Sequence, residues 1–322
     1  MENALILGVD GGGTHSRLAA VRPDGTVVAA APGAGVNFNI VGMDTARKRL
    51  YDAVRSLLAQ CGANDYGTLC VGMSALDNEP DEELLRTFAG GLFDWRRLEM
   101  NSDAYMALMS ATLGEPGAMV VSGTGAMVIA LDATGRVHRR AGWGYLLDDP
   151  GSAYGIAVQG IRAALACWKG IGEETALKYR VRDFFCVDDP RALLSKLYSP
   201  AMEPSQIAQF ARGILESAAA GDAVSRRLIQ DNIDYLAGQA HRLLDMCPPG
   251  SPVGLYGGMF QHNAWVAALF REKLAQLRPQ ARAANLELPP QIGAVISHFR
   301  RIGGLNAGVV ARLRATWKEC PQ

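Results

Sequence analysis

The chain has 322 residues with equal numbers of basic and acidic side chains, 32 of each, so its formal net charge is zero at neutral pH. This length is enough for two domains that each have a core. The balanced charge argues against nucleic-acid binding, which usually needs a basic surface. The apolar runs are strand-sized and too short to span a membrane.

Cysteine usage and the N-terminal sequence bear on the compartment. The six cysteines are scattered and form no C-x-x-C pair, so we expect buried thiols in a reducing compartment. The first residues show no basic region followed by an apolar stretch of the signal-peptide kind. A cytoplasmic protein is therefore expected.

The first elements in chain order are two strands joined by a glycine-rich loop. An apolar run over residues 4–10 enters Gly-Gly-Gly-Thr at residues 11–14, and a second run over residues 16–21 leaves it. Glycine lets the backbone approach a ligand closely and turn its N–H groups towards an anion. The pattern therefore predicts a phosphate-binding loop.

The same pattern recurs 110 residues later, where Ser-Gly-Thr-Gly at residues 122–125 separates two apolar runs. Gly13 and Thr14 correspond to Gly123 and Thr124 at this spacing. The duplication predicts two similar domains with one loop each. Two such loops facing each other would hold a nucleoside triphosphate from both sides.

The remaining segments alternate between strands and helices, which predicts α/β layers. Between the two hairpins we expect a helix from 44 to about 60, strands over 68–73 and 98–100, a helix over 81–89, and a helix that carries Asp103. In the second half we expect helices over residues 152–168, 175–185, 190–198, 204–219, 222–246, 264–277 and 305–317, and a strand over 253–256.

Two common nucleotide-binding motifs are absent, since neither G-x-x-x-x-G-K-[ST] nor an early G-x-G-x-x-G occurs. Instead, residues 8–14 and 122–125 resemble the two phosphate motifs of the superfamily that contains actin, the seventy-kilodalton chaperones and the sugar kinases. Residues 142–154, GWGYLLDDPGSAY, resemble the G-G-W-G-x-x-x-G-D-E-G-S-A-Y signature of the N-acetylglucosamine kinase family. Residues 255–260 resemble the adenosine motif.

The resemblance implies an α/β fold made of two ribonuclease H-like lobes, a duplicated actin-like ATPase fold with a nucleotide cleft between the lobes. We expect the N-terminal lobe to comprise residues 1–117, with the helix of 305–322 packed back on it, and the C-terminal lobe to comprise 118–304. The resemblance also implies ATP and Mg²⁺ as cofactors, an amino sugar as substrate, and a homodimer.

The resemblance assigns roles to individual residues. Asp103 matches the general base, which would accept the proton of the attacking sugar hydroxyl, and Asp10 matches the acid that acts through Mg²⁺. From the residues alone, Asp10 could be a turn aspartate and Asp103 a helix-start acid. The implied sugar-binding residues are Asn37, Asp103, Gly142, Trp143, Gly144 and Asp149. The implied ATP-binding residues are Gly12, Gly13, Thr14, Gly123, Thr124, Ala218, Gly257 and Gly258.

The chain departs from the family pattern in places. Where the signature has Gly-Asp-Glu, this chain has Asp148, Asp149 and Pro150, which leaves the identity of the amino sugar open. The segment 293–308 allows two alignments with the family.

The function that the resemblance implies is phosphorylation of a hydroxyl, expected to be O6, of N-acetylglucosamine. Glucosamine, N-acetylmuramate and an anhydro-sugar are alternatives within the class. A second reading is an ATPase that activates a partner protein, as dehydratase activators do. No cysteine pair here has the spacing for the bridging iron–sulfur cluster of those activators. A filament protein of the actin type is a third reading.

Overall fold

The computed structural model describes residues 4–147 and 149–320. The chain divides into two compact units: unit 1 is Met1–Glu115 with Leu286–Gln322, and unit 2 is Pro116–Asn285. In chain order the elements are β1 (Ile6–Gly11), β2 (His15–Val21), β3 (Val27–Ala34), α1 (Phe38–Val41), α2 (Met43–Gln60), β4 (Thr68–Met73), α3 (Glu82–Ala89), β5 (Leu98–Ser102), α4 (Asp103–Thr112), β6 (Gly117–Ser122), β7 (Ala126–Leu131), β8 (Val137–Ala141), α5 (Ala153–Trp168), α6 (Leu177–Phe185), α7 (Pro190–Leu197), α8 (Pro204–Ala208), α9 (Ala211–Ala219), α10 (Ala223–Leu243), β9 (Pro252–Tyr256), α11 (Gly258–Gln261), α12 (Ala264–Leu277), β10 (Arg282–Asn285), α13 (Pro290–Arg301) and α14 (Ala307–Glu319). Short 3-10 helices occupy Trp95–Arg97 and Leu244–Met246.

Unit 1 contains a five-stranded sheet in the order β3-β2-β1-β4-β5. The first three strands are antiparallel, whereas β1, β4 and β5 are parallel to one another. Successive strand residues face opposite sides of the sheet. On one side Leu7 and Val9 join a buried cluster with Leu50 and Leu57 of α2, and the other side carries α4 and α13.

Unit 2 contains a second five-stranded sheet, in the order β10-β9-β6-β7-β8. Strands β6, β7 and β8 are antiparallel, and β6, β9 and β10 are parallel. Each strand of this sheet therefore has a counterpart in unit 1 with the same pairing. The predicted duplication and the α/β fold class are confirmed.

The boundary between the units differs from the predicted one in two places. Residues 286–304 belong to unit 1, although the sequence analysis placed them in the C-terminal lobe, and residues 116 and 117 belong to unit 2 because β6 begins there. Helix α13, which was not among the predicted helices, packs on β1 and α4. The last helix, α14, lies beside β3, where the Thr316 hydroxyl accepts a hydrogen bond from the Val27 amide at 2.9 Å.

Two glycines allow α13 to pack closely on β1 and α4. A Cβ atom on Gly8 of β1 would collide with the carbonyl oxygen of Gln291, and one on Gly293 would collide with the carbonyl oxygen of Met106 in α4. Both obstacles are backbone atoms, which cannot rotate away. The close approach explains why this helix belongs to the first unit.

We expect Gly293→Ala to destabilise the protein by about 1–3 kcal/mol, because overpacking against the backbone forces the helices apart. Gly238→Ala is a matched control, since Gly238 also lies inside a helix but has no atom within 4 Å of its Cβ position. This control should stabilise the protein by about 0.5–1 kcal/mol. Urea unfolding of both variants tests the prediction, and similar free energies of unfolding would contradict it.

Among the described helices, none is both long enough and apolar enough to cross a membrane.

Candidate active site

Asp10 and Asp103 lie at the same edge of the unit 1 sheet. Asp10 is in register with Gly72 of β4 and Asn101 of β5, and Asp103 follows directly after β5. Because β1, β4 and β5 are parallel, their carboxyl ends meet at one edge, with β1 and β5 roughly 10 Å apart. Ligands of α/β sheets commonly bind at such edges.

The start of α4 is fixed by its cap and by a glycine. The Ser102 hydroxyl accepts a hydrogen bond from the Tyr105 amide at 3.1 Å, which makes Asp103 the first residue of the helix. A Cβ atom on Gly72 would lie 3.4 Å from Asp103 Cα and 2.7 Å from Met106 Cγ. The glycine at position 72, on the strand between β1 and β5, therefore lets the first turn of α4 lie close to the sheet.

The pKa of Asp10 is raised from 3.8 to about 6, chiefly by burial and also by the negative charge of Asp103, while the guanidinium of Arg17 opposes the rise. Arg17 Nη1 lies 3.9 Å from Asp10 Oδ2, and the arginine side chain is largely exposed, so this pair compensates the buried charge weakly. The pKa of Asp103 is also raised by burial, while the amide N–H of Ala104, 2.7 Å from Asp103 Oδ1, lowers it.

The Asp10 carboxylate fits a hydrated Mg²⁺ ion. Magnesium prefers carboxylate oxygens and usually keeps several waters, so it needs only one or two protein ligands. A partly buried acid with a raised pKa and only a distant cation has a charge that a divalent ion would neutralise. The chemistry of Asp10 is therefore compatible with holding such an ion.

We expect the metal-free protein to become less stable as the pH rises from about 4 to about 6, through the contribution of Asp10. Its folded pKa of about 6 exceeds the ordinary value of 3.8, so the folded chain binds more protons than the unfolded chain in this range, and stability falls with pH. Urea unfolding in EDTA, compared between wild type and Asp10→Asn, isolates this contribution. The same pH slope in both proteins would contradict it.

The first predicted phosphate loop, at residues 11–14, is a tight turn held by backbone hydrogen bonds. The Gly12 amide donates to the His15 carbonyl, and the Val36 amide donates to the Gly12 carbonyl, both at 3.0 Å. A Cβ atom on Gly35 would collide with the Gly13 carbonyl oxygen. Thr14 is exposed at the tip of the loop. Backbone contacts therefore support the loop, while its tip stays accessible to a ligand.

Asn37 is buried and serves as the N-cap of α1. Its Oδ1 accepts a hydrogen bond from the Asn39 amide at 3.0 Å, and its Nδ2 donates to the Ser74 hydroxyl at 2.9 Å. Ser74 follows β4, so this pair ties the loop after β3 to the same sheet edge that carries Asp10.

The second phosphate loop is the meeting point of several predicted site residues in unit 2. The Gly123 amide donates to the Gly125 carbonyl at 2.9 Å, and Thr124 is exposed. A Cβ atom on Gly257 would collide with the Ser122 carbonyl, and one on Gly142 with the Ala126 carbonyl. Both glycines have positive φ, +98° and +88°, so a side chain at either would also strain the backbone.

Asp149 lies directly under this loop. The residue is 9% exposed, and its Oδ1 accepts a hydrogen bond from the Ala126 amide at 2.7 Å. The turn that follows is held by the Ser122 hydroxyl, which donates to the Gly151 carbonyl at 2.5 Å. The structure therefore gives Asp149 a loop-supporting contact that the sequence analysis did not foresee. Asp148, the other acid of the altered signature, lies outside the described residues.

The residues beside Gly142 are more exposed. Trp143 is 58% exposed, and the guanidinium of Arg139 lies 4.7 Å from the centre of its ring. Gly144 also has a positive φ, +91°, with open space at its Cβ position. These two residues are accessible to a ligand of unit 2.

Ala218 lies elsewhere in unit 2, at the end of α9. It borders a cavity of about 310 Å³ that is also lined by Ala219, Arg226, Trp265 and Leu269. Arg226 Nε donates to the Ala218 carbonyl at 2.9 Å. Gly258 is the first residue of α11, which immediately precedes α12 and its Trp265.

Sequence reasoning missed supporting residues that are distant along the chain. Asn232 of α10 is buried, and its Oδ1 accepts a hydrogen bond from the Gly151 amide at 2.7 Å, which fixes the turn after Asp149. An asparagine on the buried face of a predicted amphipathic helix was the available signal, because such a side chain needs a polar partner.

Curated relatives of the chain are amino-sugar kinases. The chain is 25% identical over 312 residues to N-acetyl-D-glucosamine kinase of Dictyostelium discoideum, which covers 92% of this chain and 98% of the relative. It is 24% identical to N-acetylmuramic acid/N-acetylglucosamine kinase of Clostridium acetobutylicum, covering 90% and 97%. It is 28% identical to glucosamine kinase of Vibrio cholerae, covering 70% and 75%.

A solved structure supports the fold. A Chromobacterium violaceum protein proposed to be an N-acetylglucosamine kinase superposes with a TM-score of 0.71 at 24% identity, covering 92% of this chain and 99% of that protein. The model of the BadF/BadG/BcrA/BcrD ATPase family matches residues 7–296. With a match over most of its length, the chain belongs to the BadF/BadG/BcrA/BcrD ATPase family.

Proposed function

We propose that the chain is an ATP-dependent kinase that transfers the γ-phosphoryl group of ATP to O6 of an amino sugar, with N-acetylglucosamine as the first candidate. The observation that carries the proposal is the placement of Asp10 and Asp103 at one edge of the unit 1 sheet, next to the glycine-rich loop that is predicted to bind phosphate. Relatives that match nine tenths of the chain are named as kinases of this substrate class.

Asp103 is proposed to act as the general base. Its carboxylate accepts the proton of the sugar hydroxyl while the new oxygen–phosphorus bond forms and the bond to the β-phosphate oxygen breaks, releasing ADP. A raised pKa suits this task, because a base works best when its pKa lies nearer the operating pH. Asp10 would hold Mg²⁺, which neutralises charge on the β- and γ-phosphates when it is bound.

The proposed phosphate-binding residues are Gly12, Gly13 and Thr14 in unit 1, and Gly123 and Thr124 in unit 2. The cavity beside Ala218 is proposed to receive the adenine base, because Trp265 and Leu269 give it apolar lining and Arg226 and Gln230 give it polar groups. Gly257 and Gly258, shortly before Trp265 in the chain, are the other proposed nucleotide-binding residues.

Asn37, Gly142, Trp143, Gly144 and Asp149 remain the proposed sugar-binding residues. A cytoplasmic location and a homodimer also remain proposals.

ADP release from Mg-ATP tests the proposed function. The panel comprises N-acetylglucosamine, N-acetylmannosamine, glucosamine, N-acetylmuramate, glucose and a sample without sugar. Stimulation by one amino sugar, followed by NMR of the product to locate the phosphate on O6, would support the proposal. Hydrolysis that no sugar changes would instead favour an ATPase that acts on a partner protein.

A separate prediction addresses Asp149, which contacts the second phosphate loop and also matches a sugar-binding acid. If the sugar role is correct, Asp149→Ala should weaken the amino-sugar affinity by about 10-fold or more, the cost of losing a charged hydrogen-bond acceptor, and should change ATP affinity less. Isothermal titration with each ligand measures both. A larger loss for ATP would assign Asp149 to loop support through the Ala126 amide.

A further inference from the structure

Three potential metal ligands of unit 1 lie together on the face of the sheet that α13 covers. Cys70 of β4 and Glu99 of β5 are register partners on adjacent parallel strands. His298 comes from α13, nearly two hundred residues further along the chain. Cys70 and His298 are buried and Glu99 is largely buried. The fold thus brings a thiol, a carboxylate and an imidazole to one point.

The distances within this group are close to those between the ligands of one metal ion. The ligand atoms of all three residues lie within 4.8 Å of one another. Cys70 Sγ is 3.8 Å from Glu99 Oε2, and His298 Nδ1 is 2.9 Å from Glu99 Oε1. Bonds of about 2.0–2.3 Å in a tetrahedron place two zinc ligands roughly 3.3–3.8 Å apart. Small side-chain rotations would therefore suffice to coordinate an ion.

The surrounding charges are compatible with a divalent ion. A thiolate on Cys70 and the carboxylate of Glu99 would together neutralise the ion, once the thiol proton has passed to solvent. Arg301 Nε lies 3.9 Å from Glu99 Oε2, and its positive charge is balanced by Glu79, 2.5 Å from Arg301 Nη2. The guanidinium would orient the carboxylate oxygen that does not bind the metal, as groups around metal ligands commonly do.

An adjoining cavity of unit 1 could supply a fourth ligand. Its volume is about 360 Å³, and Glu99 lines it together with Asn101, Met106, Arg300 and Arg301. A water molecule in this cavity could reach the ion on the side of Glu99. Three protein ligands and one water form a common coordination set for zinc.

We propose that Cys70, Glu99 and His298 form a Zn²⁺ site that fastens α13 to the sheet of unit 1. Zinc is favoured over magnesium because sulfur and imidazole are ligands that zinc accepts and magnesium does not. The site is distinct from Asp10 and Asp103, and it does not depend on the proposed kinase function. Its expected effect is on the stability of unit 1, since one ligand comes from each of β4, β5 and α13.

Cobalt substitution tests the site directly, because thiolate-bound Co²⁺ gives a near-ultraviolet charge-transfer band and tetrahedral Co²⁺ gives strong visible bands. Protein stripped with chelator and kept reduced is titrated with Co²⁺ in excess Mg²⁺, which fills carboxylate-only sites. We expect saturation at about one Co²⁺ per chain, displacement of both bands by Zn²⁺, and a higher unfolding temperature with Zn²⁺ than with EDTA.

The variants are Cys70→Ser and His298→Gln, with Cys167→Ser as the matched control. Cys167 is also buried and lies 3.7 Å from a carboxylate oxygen of Glu174, but among the described residues it has no third donor nearby. Cys70→Ser should abolish the charge-transfer band, His298→Gln should weaken Co²⁺ binding at least about 10-fold, and Cys167→Ser should change neither. Absence of the band in wild type, or its loss only in Cys167→Ser, would overturn the proposal even if a variant fails to fold.

Discussion

Replacing Asp103 by asparagine is expected to lower kcat for sugar phosphorylation at least about 100-fold, the usual contribution of a general base. The amide has nearly the same shape as the carboxylate but cannot accept the hydroxyl proton. ATP binding should be retained, because Asp103 is not among the residues proposed to contact the phosphates of ATP. Steady-state kinetics with the sugar identified in the panel, together with ATP titration, measure both effects.

The control for this prediction separates catalysis from helix stability. Asp44 is also an acid in the first turn of a unit 1 helix, α2, but it is exposed and paired with Arg47. Asp44→Asn removes a comparable favourable interaction with a helix N-terminus, about 0.3–1 kcal/mol, and should leave kcat unchanged. Turnover of Asp103→Asn near that of Asp44→Asn would show that Asp103 is only a helix-start acid.

Replacing Asp10 by asparagine is expected to have opposite effects on activity and on stability. Sugar phosphorylation should fall at least about 100-fold, as when an enzyme loses a group that stabilises the transition-state charge. The metal-free protein should become more stable at neutral pH. A pKa raised to about 6 by burial and by Asp103 means that the ionised carboxylate is unfavourable in the folded state, by up to roughly 3 kcal/mol.

Urea unfolding in EDTA and steady-state kinetics with Mg-ATP test the two halves of this prediction on the same protein. Asp52→Asn provides the control, since Asp52 is an exposed acid of unit 1 that pairs with Lys48 at 3.8 Å; it should change neither quantity by much. An Asp10→Asn protein that is less stable than wild type would show that the buried carboxylate is compensated in the folded chain. Full activity would remove Asp10 from the mechanism.

Features set by neighbouring residues along the chain could be predicted well. The glycine loops, the strands on either side of them and the helix that starts at Asp103 depend on local backbone freedom, capping and hydrophobic spacing. The spacing of 110 residues between the loops was enough to predict the duplicated sheets. The match to known signatures then indicated the family.

Other features could not be predicted because they depend on contacts between distant segments. The position of helix α13 depends on two close backbone contacts, of Gly8 with Gln291 and of Gly293 with Met106. These contacts join segments that are far apart in the chain, so the residues of α13 were expected in the other unit. Sequence patterns report which residues are small. They do not report which backbone will lie against them.

The amino-acid sequence by itself determined the α/β class and the duplication, and it indicated the two glycine-rich loops and the candidate acids, since each depends on a short run of residues. Only the tertiary structure decided the high pKa of Asp10, the contact of Asp149 with the Ala126 amide, and the meeting of Cys70, Glu99 and His298. Burial and electrostatic interaction act through space, so they are fixed only when the sheets and helices have packed.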